Sequence, residues 1–152
     1  MSRGSTAYCV DRDIVDRAEA ERACRAVLDV VLPRVRTVWV GAYSDEVDLP
    51  PEVREAQAAL FRLGEDRGRA DPGMGIELNV ERPDQVRLLR VFAQWSINVE
   101  LYDEAMRWVA DLHDCGYSVC FSVTEDEVSR ISSGLGDLPV ATLKQVRARR
   151  NR

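Results

Sequence analysis

The chain has 152 residues, 45% of them apolar and 31% charged, and a formal net charge of −5. Such a length suits one domain burying about 70% of its unfolded surface, and the balance excludes a disordered or fibrous chain. No apolar run nears the ~20 residues of a membrane-spanning helix, and Met1–Asp13 lacks the apolar core of a secretory signal, so a cytoplasmic protein is expected.

Charge is unevenly spread. The last fourteen residues, Pro139–Arg152, hold five basic side chains and no acidic one, whereas the rest carries 16 basic against 26 acidic residues. The division expected is one domain over residues 1–138 and a basic tail or helix over 139–152. An acidic body repels nucleic acid and favours basic partners. Arginine outnumbers lysine twenty to one, which reads as the GC-rich codon usage of a bacterial genome.

In chain order, Ala7–Val10 is an edge strand or a lead-in. Asp11 or Asp13 can cap a first helix running to about Leu32, with Ile14, Ala18, Cys24, Val27, Leu28 and Val31 inward and Pro33 as its stop. Arg36–Ser44 alternates Val38, Val40 and Ala42 against Trp39, Gly41 and Tyr43, which is a strand. Pro50 and Pro51 open a second helix that Gly64 ends. The Gly-rich run Gly64–Gly75 follows a helix and opens a strand, the wrong order for a phosphate cradle, and is expected as an exposed, mobile loop. Ile76, Leu78 and Val80 alternate with Glu77, Asn79 and Glu81 in a second strand. Pro83 and Asp84 start a third helix through roughly Trp95.

Ser96–Thr124 reads strand, helix, strand. Ile97, Val99 and Leu101 alternate with Asn98, Glu100 and Tyr102. Asp103 suits a helix N-cap, with Met106, Val109, Ala110 and Leu112 as the inward stripe and Gly116 as the left-handed stop. Val119, Phe121 and Val123 then alternate with Ser118, Cys120 and Ser122. Thr124 and Glu127 form a capping box for a short helix; Ser132–Pro139 is a loop, and Val140 to about Arg149 a final basic helix.

Two strand–helix–strand units with half-wet strands predict an α+β two-layer sandwich. Its sheet would have four or five mainly antiparallel strands with helices on one face, in a ferredoxin-like (split βαβ) arrangement with an extra helix. The polar side of that sheet is the one constellation that suggests a function. It collects Trp39, Tyr43, Glu77, Asn79, Glu81, Asn98, Glu100 and Tyr102, together with Ser118, Cys120 and Ser122. Four strands span on the order of 350 Å², under half of the ~800 Å² each partner buries in a standard interface, so flanking loops or a second copy must add to it. RNA-binding sheets pair aromatics with basic neighbours; here the neighbours are glutamates, and nucleic acid is not the expected ligand.

Catalytic chemistry has little to work with. His113, the sole histidine, falls at the end of the expected fourth helix, where its charge complements the dipole. Cys115, Cys120 and His113 lack the paired spacing of a zinc site, and Cys9, Cys24, Cys115 and Cys120 read as small, buried or half-buried residues. Neither catalytic residues, nor a metal, nor a cofactor is assigned. The reading is a protein-binding domain, not an enzyme, working through the acidic sheet face and adjacent loops. An immunity- or inhibitor-type partner of a basic protein is the narrower form. The alternatives are a small dimeric enzyme with a carboxylate-lined cleft and a regulatory homodimer.

Overall fold

The computed structural model describes residues 4–68 and 70–151; Met1–Arg3, Arg69 in the Gly-rich loop and Arg152 of the basic tail lie outside them. The chain is α+β, built on one seven-stranded sheet. Its strands are β1 (Thr6–Val10), β2 (Val35–Val40), β3 (Ile76–Leu78), β4 (Asn98–Asp103), β5 (Trp108–His113), β6 (Ser118–Val123) and β7 (Val140–Thr142). They lie in the order β3-β2-β4-β5-β6-β1-β7, and every neighbouring pair is antiparallel. The helices are α1 (Arg17–Val31), α2 (Pro51–Asp66), α3 (Pro83–Phe92), α4 (Glu125–Leu135) and α5 (Leu143–Arg150). None is long and apolar enough to cross a membrane among the described residues.

Connectivity explains the order. The chain leaves β1, crosses through α1 to β2 and adds β3 outside it. It then returns through α3 and fills the gap with the meander β4–β5–β6, and ends by placing β7 beyond β1. One face of this sheet carries the core. Val38, Val40, Val99, Leu101, Ala110, Leu112, Val119, Phe121 and Val123 are almost fully buried, and they join Val27, Leu28 and Val31 of α1, Leu60 of α2, Leu89 and Phe92 of α3, and Ile131 and Leu135 of α4 in one cluster. Caps fix where the helices begin. The Asp16 carboxylate accepts from the Glu19 amide at 2.8 Å, and Thr124 and Glu127 exchange hydrogen bonds of 3.2 and 3.0 Å, as the capping-box spacing predicts.

The fold departs from expectation most between Asp103 and Gly116. That stretch is not a helix; it turns back as β5 and pairs antiparallel with β4. The ladder shifts register between Leu101 and Tyr102, and Val109 and Ala110 are both buried beside buried Leu112. A bulge puts consecutive residues on one side of a strand, so apolar positions at i, i+1 and i+3 imitate helical spacing. Asp103 caps this hairpin by the chemistry expected of it at a helix, accepting from the amides of Ala105 (2.9 Å) and Arg107 (3.0 Å) while its other oxygen binds Arg107 Nε at 3.0 Å. Burial would raise the Asp103 carboxyl, but the Arg107 and Ala105 amides and the Arg107 charge hold it below its usual value. Met106 takes the left-handed position of the turn at φ 58°.

The ferredoxin-like sandwich of four or five strands therefore gives way to seven. β2 and β3 are antiparallel neighbours despite the helix between them, and the described strands form no split βαβ unit. Other boundaries move less. β1 is flanked by β6 and β7, so it is not an edge. Gly64 does not stop α2. It lies inside the helix, and its lack of a β-carbon is what the packing needs, since one there would come within 1.7 Å of the Pro72 carbonyl oxygen. The chain beyond Leu138 supplies both β7 and α5. Cys24 and Cys115 are free and buried, as read, whereas Cys9 and Cys120 face one another on β1 and β6 and form a disulfide. Burial pushes the Cys24 thiol up to about 12.

Candidate functional site: the open face of the sheet

Opposite the helices, the alternate residues of β2 to β6 remain half-buried or exposed, while Cys9 of β1 and Ala141 of β7 are buried. Register places them in rows. One row runs Glu77–Trp39–Glu100–Asp111–Cys120–Cys9, straight across six strands. On one side of it lie Thr37, Tyr102 and Trp108; on the other lie Asn98, His113 and Ser118. Trp39 and Tyr102 meet edge to face with ring centroids 5.0 Å apart. Tyr102 directs its hydroxyl at Glu100 Oε2, 3.3 Å away, and burial together with the Glu100 charge raises its pKa, so the phenol stays a donor.

Of the residues expected here, Trp39, Glu77, Asn98, Glu100 and Tyr102 are brought together. Tyr43, Asn79 and Glu81 are not. Because β2 ends at Val40, Tyr43 is free to turn onto Phe61 (centroids 5.4 Å) and to donate to Asp71 at 2.7 Å. Because β3 ends at Leu78, Asn79 and Glu81 form a turn instead, with the Glu81 amide bound to Asn79 Oδ1 at 3.0 Å. The Gly64–Gly75 segment, expected as an exposed mobile loop, is partly packed: Gly73 is buried against Tyr43 and Phe61.

Three residues that the sequence reading left off this face belong to it: Trp108, Asp111 and His113. All three come from β5. Asp111 stands directly opposite Glu100, so two carboxylates share a cross-strand pair, and His113 stands opposite Asn98. Among the described residues, five buried polar side-chain atoms lack a hydrogen bond. Asn98 Oδ1, Trp108 Nε1 and His113 Nε2 are three of them, all on this patch of β4 and β5. A buried, unsatisfied polar group costs about 1–3 kcal/mol. Their concentration on one face is what a surface awaiting a polar ligand would show. The signal available in the sequence was the run Trp-Val-Ala-Asp-Leu-His, six residues directly before the aspartate–cysteine–glycine turn, short for a helix and opened by the strand formers tryptophan and valine.

A shallow hollow of about 340 Å³ opens on this face, lined by Trp39, Val40, Gly75, Asn98 and Glu100. A larger cleft of about 740 Å³ sits at the sheet's end, beside Arg34, Arg36, Asp103, Arg107 and Glu127. Two of its acids are already committed: half-buried Glu127 binds Arg34 Nε at 2.8 Å and buried Asp103 binds Arg107. The arginines of α5 do not reach the open-face glutamates in any described ion pair; Arg149 binds Asp11 instead. Set beside protein-family models, curated proteins and solved structures, the chain matches none of them.

Proposed function

We propose that the chain is a protein-binding domain whose open sheet face receives a partner with arginine or lysine at its contact. The observation that carries this reading is the row in which Glu77, Glu100 and Asp111 lie across four neighbouring strands with Trp39 among them. Like charges on paired strands cost roughly 0.2–1 kcal/mol, and a cationic side chain between them relieves that repulsion. Trp39, Tyr102 and Trp108 supply the aromatic surface on which a guanidinium stacks. With seven strands the face spans on the order of 550 Å², nearer the ~800 Å² per partner of a standard interface than four strands allow. The helical side is closed by its own core, which leaves this side for contact.

An inhibitor or immunity-type role remains the narrower form of this reading, supported by the small size and acidic body. The cytosolic expectation is opposed by the Cys9–Cys120 bond, since structural disulfides persist in oxidising compartments. The test is recovery of a partner from lysate of the source cells, with wild type and with Glu77→Arg/Glu100→Arg as bait. A second charge reversal, Glu52→Arg/Glu55→Arg on exposed α2, serves as control. Loss of the partner from the sheet-face variant alone supports the reading; equal recovery by all three baits refutes it.

A further inference from the structure

The β4–β5 part of the open face has the donor set of a metal site. Glu100, Asp111 and His113 each bring one ligand-type atom within 4.8 Å of the other two, and all three side chains are half-buried. We propose that these three residues bind one divalent transition-metal ion of the Zn²⁺ class, independently of whether the face docks a protein.

Register makes the cluster. Glu100 and Asp111 are directly opposed, and His113 follows Asp111 by two residues on the same side of β5. The two carboxylates have little else to neutralise them. Among the described ion pairs Glu100 has none, and Asp111 has only His113 Nε2, at 3.9 Å, too far for a hydrogen bond. The imidazole supplies the independent observation. His113 Nε2 is shut off from water yet makes no hydrogen bond, and across the ladder Asn98 Oδ1 is in the same condition. A ring nitrogen without a hydrogen-bond partner, within reach of two carboxylates, is disposed to ligate.

The chemistry of the donors selects the ion. Mg²⁺ and Ca²⁺ take six to eight oxygen ligands, whereas one nitrogen and two carboxylates suit Zn²⁺ and its neighbours. Three protein ligands leave a position for water or for a partner's side chain, as in open zinc sites. Ligand atoms about 2.1 Å from one ion lie roughly 3–3.5 Å apart, so side chains whose ligand atoms lie within 4.8 Å of one another need close by no more than about 1–2 Å. Glu100 and His113 can supply that by rotation, and the backbone ladder need not move.

Isothermal titration of the full, oxidised chain with ZnCl₂, with MgCl₂ and CaCl₂ in parallel, tests the site. His113→Asn and Asp111→Asn are the variants, each checked for unchanged melting in EDTA. Since His113 is the sole histidine, no other imidazole competes, and the free thiols of Cys24 and Cys115 are buried. The expected result is one Zn²⁺ per chain, at least tenfold weaker binding in both variants, and no comparable heat with Mg²⁺ or Ca²⁺. No binding to wild type, equal binding by the variants, or equal response to all three ions overturns the site. His113→Asn leaves every carboxylate of the face in place, so partner recovery and zinc binding fail or succeed separately.

Discussion

Met106→Gly separates a β4–β5 hairpin from a helix by the sign of its effect. In the hairpin, Met106 sits at φ 58°, with its side chain half exposed and its sulfur 3.5 Å from Thr37 Oγ1. A residue with a β-carbon pays roughly 1–2 kcal/mol in the left-handed region, and glycine removes that cost. Glycine also frees the unfolded chain, returning about 0.5–1 kcal/mol. The thioether contact is weak and exposed, so the expected balance is a gain of about 0.5–1 kcal/mol. For a domain of this size each kcal/mol moves the midpoint by about 2–4 °C, which gives a rise of ~1–4 °C. In a helix over the same residues the substitution would instead cost about 1 kcal/mol. Urea unfolding and thermal melting followed by circular dichroism both resolve this difference. A fall in stability would refute the hairpin and, with it, the placement of Asp111 and His113 beside Glu100.

Gly64→Ala should be severely destabilising, because its β-carbon would lie 1.7 Å from the Pro72 carbonyl oxygen; overpacking of this kind costs about 1–3 kcal/mol or more, read as a lower melting temperature. Glu127 bears on acid stability. Burial would raise its carboxyl, but the Arg34 guanidinium and the Thr124 amide outweigh that and lower it. A carboxyl lower in the folded state stabilises above its unfolded value of about 4.3 and loses that contribution as pH falls through the folded value. Glu127→Gln should therefore be less stable than wild type at pH 7, with the gap closing towards pH 3; a constant gap contradicts the linkage. Reducing the Cys9–Cys120 bond, which closes 111 residues of sequence separation, should lower stability by about 4–5 kcal/mol on the chain-entropy account. Urea midpoints with and without reductant check it, and coincident midpoints contradict it.

Alternation alone was enough to put Trp39, Glu77, Asn98 and Glu100 on one face, because buried residues alternate with open ones immediately around each of them. It failed where a strand ended early. Tyr43, Asn79 and Glu81 keep the alternating pattern for a few residues after β2 and β3 have stopped, and periodicity carries no mark of where pairing ceases. It failed again at the bulge, where burial of both Val109 and Ala110 scrambles the period. That single irregularity concealed β5, and with it the Glu100–Asp111 pair and the position of His113. The disulfide was illegible for a different reason. Cys9 and Cys120 become neighbours only through the sheet order, which places the first strand beside the sixth. Local signals survived best: the Thr124–Glu127 capping box needs only its own four residues.

The most direct measurement is the affinity of the recovered partner for wild type and for Glu100→Arg/Asp111→Arg, titrated at low and at physiological salt. Breaking a close interfacial charge pair costs about 2–5 kcal/mol, so the account predicts at least about a thirtyfold loss, together with a weaker salt dependence in the variant. An affinity and a salt dependence that match the wild type would show that the carboxylate row on the open face is not where the partner binds.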